Sequence, residues 1–162
     1  MDASASTIWK KTDASPPVLV EPERVVQLLL EGGVELVGQI LSSSNVIFLA
    51  SVTGDDLQAL AVYKPHRGER PLWDFPQGTL CLREVAAYVV SRALGWPLIP
   101  PTVLRDGPHG VGALQLFIDA DLEATYFSLR EERRADLFPV ALFDILSNNA
   151  DRKGGHLLLD EW

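Results

Sequence analysis

The amino-acid sequence predicts an α+β domain built around an antiparallel sheet, and three observations lead there. Three β-rich runs, residues 34–41, 46–52 and 57–64, follow one another through short connections, Ser42-Ser43-Ser44-Asn45 and Thr53-Gly54-Asp55-Asp56. Parallel neighbours need a crossover of a dozen residues or more, so connections this tight imply an antiparallel meander. A segment of helical period then precedes two further β-rich runs, and a second, almost wholly apolar helix follows them.

Each element has a local reason. Residues 1–17 are rich in Ala, Ser, Thr and Asp and carry little apolar content to offset ordering entropy, so 1–20 is expected to be a disordered tail. Over 21–31, Val25, Val26, Leu29 and Leu30 recur at helical spacing, with Pro22 early and Gly32-Gly33 as the stop. After the three strands, residues 65–78 form a loop of charge, Pro and Gly with Trp73 and Phe75 embedded, too long for a mere connection. Thr79 can cap a helix running to about Leu94, whose Leu82, Val85, Ala86, Val89, Val90 and Ala93 form one apolar face, and Gly95 ends it. Residues 102–105 and 111–118 read as two strands joined by a turn through Asp106-Gly107-Pro108-His109-Gly110. A charged stretch then leads into the apolar helix to about Ser147, a polar loop over 148–156, and the start of a strand at 157–159.

Composition excludes several functions. The 162 residues suffice for one ordinary domain, and 47% hydrophobic content can fill its core. A net charge of −8 repels nucleic-acid phosphates and anionic headgroups, so no nucleic acid is expected as a partner. No span of membrane length and no signal peptide is visible, so integral membrane association is not expected and the expected location is cytoplasmic. The single Cys81 cannot form an internal disulfide and lies among Leu80, Leu82 and Val85, as a packing residue does.

Two places carry candidate chemistry. Lys64 closes the third strand in Val62-Tyr63-Lys64-Pro65, and Glu84 lies near the start of the next helix. Taken singly, a lysine at a strand end is ordinarily solvated and a glutamate in a first helical turn ordinarily answers the helix dipole. The run Asn149-Ala150-Asp151-Arg152-Lys153-Gly154-Gly155-His156 follows an apolar helix and precedes a β-rich start, a context that a plain solvated turn does not need.

In element order and in these residues the chain resembles the kinase fold of the phosphatidylinositol 3-/4-kinase superfamily. The resemblance implies a protein-kinase-like fold: an antiparallel N-lobe sheet with a helix over 21–118, a hinge, and over 119–162 the start of a truncated helical C-lobe with its catalytic loop. It implies that Lys64 holds the α- and β-phosphates of ATP and pairs with Glu84. Asp151 would accept the proton of the attacking hydroxyl, and Lys153 would face the transferring phosphate. Ser43, Ser44 and Asn45 would meet the phosphates in place of a Gly-rich loop. Residues 115–118, with Gln115 and Phe117, would form a hinge strand that meets adenine through backbone groups. Asp-Arg resembles the opening of the phosphoinositide-kinase loop, and Phe143-Asp144-Ile145-Leu146 with Asn149 resembles the approach to it in type II phosphatidylinositol 4-kinases. The whole pattern is similar to a bacterial, largely actinobacterial, family of phosphatidylinositol kinase-like proteins of uncharacterised activity.

The pattern departs from the family in three places. The first loop is Ser-rich rather than Gly-rich. His156 stands where the family has a metal-binding Asn, and imidazole suits magnesium poorly, which brings manganese in as a second candidate beside Mg2+. The acid-x-Gly metal loop is not reached by Trp162, so the chain reads as a fragment without that loop, silent in phosphotransfer by itself. The expected activity of the family is ATP-dependent phosphotransfer to an acceptor that the sequence leaves open: a protein, a small molecule or an inositol lipid. The main alternative is a nucleotide-binding pseudokinase or scaffold with Trp73 and Phe75 as partner anchors. A third reading is a purely structural α+β module.

Overall fold

The computed structural model describes residues 6–8, 18–41, 45–121, 124–149 and 152–159. Its centre is an antiparallel sheet of five strands, β3 (Gly33–Ile40), β4 (Ile47–Thr53), β5 (Gln58–Pro65), β7 (Gly110–Leu116) and β6 (Thr102–Gly107), side by side in that order. Helix α1 (Pro22–Glu31) precedes the sheet, α2 (Leu80–Ala93) joins β5 to β6, and α3 (Tyr126–Leu129) and α4 (Arg134–Leu146) follow it. The protein is therefore α+β, with three strands, a helix and two strands in succession, compatible with a kinase-like N-lobe followed by a small helical region.

Ser6–Ile8 (β1) and Val18–Val20 (β2) pair antiparallel as a separate two-stranded ribbon. The tail expected to be disordered over 1–20 thus holds two strands, because backbone pairing satisfies both segments and Val20 is buried in the core.

Alternation along β5 divides the sheet into two faces. Ala59, Ala61 and Tyr63 point to one face and are buried with Ala50, Val52, Leu114 and Leu116 against Val25, Leu28 and Leu29 of α1. Burial of these side chains is the main stabilising term of the fold. Lys64 projects from the opposite face, where α2 packs over β6 and β7. Arg105 ties β6 to α1, donating from Nη1 to the carbonyls of Leu29 and Gly32 at 2.9 and 2.8 Å, so the orphan carbonyls at the helix end are answered by a distant strand.

Three local expectations change. Thr79 is the residue before α2 but donates its hydroxyl to the Pro76 carbonyl at 2.8 Å instead of capping the helix. The predicted strand over 111–118 ends at Leu116, although the Phe117 amide still donates to the Leu60 carbonyl at 3.0 Å. Residues 157–159 carry no strand: a 3-10 turn, Gly154–His156, precedes them, and the Asp121 amide donates to the Leu159 carbonyl at 3.1 Å without a strand ladder forming among the described residues.

Candidate functional site

Sheet register places the first group of residues. Lys64 lies opposite Ala113, and Gln115 lies opposite both Val62 and Thr102, so Lys64, Gln115 and Thr102 share one face as diagonal and direct neighbours. From α2, Glu84 reaches the same face, and its Oε1 lies 2.9 Å from Lys64 Nζ. The pair expected from element order is formed. Lys64 Nζ also donates to Gln115 Oε1 at 3.4 Å, Gln115 Nε2 donates to Thr102 Oγ1 at 2.9 Å, and Thr102 Oγ1 donates to the Pro100 carbonyl at 2.7 Å. The side chains of Lys64 and Glu84 are 25% and 39% exposed, so the ammonium is held from two sides and still open to an incoming anion.

The loop between β5 and α2 sets where Glu84 sits. The Glu69 carboxylate accepts the amides of Leu80 and Cys81 at 3.1 and 2.7 Å, capping the helix that carries Glu84 and matching its positive end. Burial pushes the Cys81 thiol up to about 11, and the neighbouring Glu69 carboxylate adds to that push through a hydrogen bond and its charge. Arg83 stacks over the Phe75 ring at 4.0 Å. Asn45 Oδ1 accepts the Arg70 amide at 2.9 Å, and the Val46 amide donates to the Gly68 carbonyl at 3.1 Å, so this loop is stitched to the β3–β4 connection. Asn45, expected to meet phosphate, is thus occupied in part by Arg70. Ser43 and Ser44 lie outside the described residues.

A second group gathers after α4. Arg152 grips the Asp144 carboxylate with Nε to Oδ2 at 2.9 Å and Nη2 to Oδ1 at 2.8 Å, and Asn149 Nδ2 donates to Oδ1 at 2.8 Å. Burial alone would raise the Asp144 carboxyl, yet the hydrogen bonds from Arg152 and Asn149 and the guanidinium charge outweigh it and bring the group below its ordinary value. The backbone follows the same path: the Asn149 amide donates to the Asp144 carbonyl at 2.8 Å, and Asn148 takes a positive φ of 50° to allow it. Asp151 lies outside the described residues. Lys153 and His156 are exposed.

Chemically, the first group is a cation with one acid partner and one amide partner, a set that suits a phosphate group. The expected metal fits less well. His156 offers a nitrogen where magnesium takes oxygen, and among the described residues no group of three His, Cys, Asp or Glu side chains gathers that could hold a metal ion.

No protein-family model matches the chain, and no solved structure matches it. It is 40% identical over 166 aligned positions to Protein Rv2133c of Mycobacterium tuberculosis (strain ATCC 25618 / H37Rv), a match that covers 81% of this chain and 60% of that protein. The chain is distantly similar to a plant phosphatidylinositol 4-kinase. That relative is phosphatidylinositol 4-kinase gamma 4 of Oryza sativa subsp. japonica, 28% identical over 167 aligned positions, covering 80% of this chain and 28% of the kinase. The chain thus spans less than two thirds of the length of either relative.

Residues that sequence reasoning passed over are Thr102, Glu69, Asp144 and Arg152 in their observed roles, together with the side chain of Gln115. The hinge expectation assigned Gln115 to backbone recognition, with little weight on its side chain. The amide instead meets Lys64, from a strand 51 positions away in sequence. The only available signal was a polar residue inside an otherwise apolar β-rich run.

Proposed function

We propose that the chain is the nucleotide-binding part of an ATP-dependent phosphotransferase of the phosphatidylinositol 3-/4-kinase-like superfamily. The observation that carries this reading is the 2.9 Å ion pair between Lys64 at the end of β5 and Glu84 on α2. Two long side chains are there held across a strand and a helix by groups that point at one another, and their partial exposure leaves the ammonium available. The distant similarity to a plant phosphatidylinositol 4-kinase supports the same reading. ATP would be the phosphoryl donor when bound, with its phosphates at Lys64. Asp151 would accept the proton of the acceptor hydroxyl, and Lys153 would face the developing charge. Protein, small-molecule and inositol-lipid hydroxyls all suit that chemistry. No helix among the described residues is long and apolar enough to cross a membrane.

The test is ATP binding by calorimetry for the natural chain, Lys64→Met and Glu84→Gln. Binding by the natural chain, lost in Lys64→Met and weakened in Glu84→Gln, is the expected result. Unchanged affinity in Lys64→Met would falsify the assignment.

A second reading, a nucleotide-binding scaffold without phosphotransfer, is favoured by Trp73, whose side chain is 97% exposed in the loop before α2. Phe75, the other candidate anchor, is partly covered and lies under Arg83. Turnover by the chain extended through the acid-x-Gly loop, abolished by Asp151→Asn, separates the enzyme from the scaffold.

A further inference from the structure

The buried side chain of Thr102 has no part in the reading above, yet it controls the polarity of the bond that Gln115 makes to Lys64. Thr102 is 2% exposed. Its hydroxyl has one proton, and the Pro100 carbonyl 2.7 Å away can only accept, so the proton is committed there. Towards Gln115 the same oxygen can then only accept, which turns the NH2 end of the Gln115 amide to Thr102 at 2.9 Å. The carbonyl end is left facing Lys64, at 3.4 Å, and an ammonium can only donate. Every donor and acceptor along the path from the Pro100 carbonyl to the Lys64 ammonium therefore has one consistent direction. The sheet builds this path, because Thr102 and Gln115 are register partners on β6 and β7 and Lys64 is the diagonal neighbour on β5.

We propose that Thr102 and Gln115 form a polarity relay that makes Gln115 a positioning residue for Lys64: its amide oxygen holds the ammonium beside Glu84, ready for an anionic phosphate group. The inference rests on the reading that Lys64 meets the phosphates of a nucleotide. With a valine at position 102 the amide loses its fixed end, and only the long 3.4 Å contact with Lys64 is left to orient it. A serine keeps the oxygen and the direction. The relay acts on the ammonium alone, so it bears on phosphate affinity and leaves the affinity for a nucleoside unaltered.

The experiment compares ATP and adenosine affinities of the natural chain, Thr102→Ser, Thr102→Val, Gln115→Leu and Lys64→Met. Loss of one oriented hydrogen bond corresponds to about a 2- to 10-fold change in affinity. The expected result is such a weakening for ATP, with adenosine unchanged, in Thr102→Val and Gln115→Leu, and natural affinity in Thr102→Ser. If Lys64→Met weakens ATP binding while both Thr102→Val and Gln115→Leu bind ATP as the natural chain does, the relay is wrong and the role of Lys64 stands. If Lys64→Met binds ATP normally, that role falls and the relay falls with it. Equal losses for ATP and adenosine would show a structural effect only and overturn the relay. Should Thr102→Val fail to fold, Gln115→Leu decides alone, since its side chain is only half-buried.

Discussion

Arg152 closes on Asp144 with two arms of its guanidinium, and those two bonds tie the chain at Arg152 back to the C-terminal part of α4. The side chains are 28% and 15% exposed, so water screens the pair only in part. Removing one partner leaves a largely buried charge with a single weak neighbour. Asp144→Asn and Arg152→Lys are each expected to destabilise this region by about 1 to 3 kcal/mol, the lysine because it keeps the charge and loses the bidentate fork. Hydrogen exchange should speed up over 144–156 and stay unchanged in β4 and β5. Uniform acceleration across the sheet would contradict a local role.

Acid should reveal the same carboxylate. Asp144 titrates below its ordinary value of 3.8 in the folded chain, so the unfolded chain binds the proton first. Its contribution to stability is fully present above 3.8 and is lost as pH falls through the lower folded value. Urea midpoints of the natural chain and Asp144→Asn, measured from pH 7 into the range below 3.8, should draw together as the pH falls below 3.8. Curves that run parallel throughout would remove Asp144 from the account.

Helix α2 should depend on Glu69 rather than on the Thr79 hydroxyl. Glu69→Ala removes the acceptor of two helix amides and is expected to cost about 0.5 to 2 kcal/mol. Thr79→Ala should cost less, because that hydroxyl bonds to Pro76 and not to a helix amide. Chemical denaturation of the two variants decides between them, and the larger loss in Thr79→Ala would reverse the assignment.

The Cys81 thiol, pushed up to about 11, stays protonated at neutral pH and buried, so it should resist thiol reagents at pH 8 until the chain is unfolded. In Glu69→Gln the charged acceptor of the thiol's hydrogen bond is gone, and the onset of thiolate labelling should move to lower pH. Identical labelling profiles would mean that burial alone sets the thiol.

Gly112 admits no side chain. A Cβ there would lie 2.6 Å from the Lys64 carbonyl oxygen and 2.7 Å from the Pro65 Cα, both backbone atoms that cannot turn aside. Gly112→Ala is expected to destabilise by about 1 to 3 kcal/mol and to weaken nucleotide binding, because the strand that must move carries Lys64. A melting curve superposable on that of the natural chain would show that β5 and β7 tolerate separation at this point.

The sequence by itself determined the kind and order of the elements, since alternation and helical period are properties of contiguous residues. Val25, Val26, Leu29 and Leu30 mark α1, and the runs on either side of Thr53-Gly54-Asp55-Asp56 mark a hairpin. That order, together with the family resemblance, set Lys64 against Glu84, and the structure forms the pair across the long connection of residues 66–79. Only the tertiary structure decided which strands are neighbours. Insertion of β7 between β5 and β6 brings Gln115 beside both Lys64 and Thr102, and the return of the 66–70 segment brings Glu69 under α2. Those contacts join residues far apart along the chain, and each is a choice among donors and acceptors that local periodicity does not rank. The same holds for Val20, which closes a short apolar run, Val18-Leu19-Val20, beside a polar tail and which only the shared apolar face of β4, β5 and α1 draws into the core.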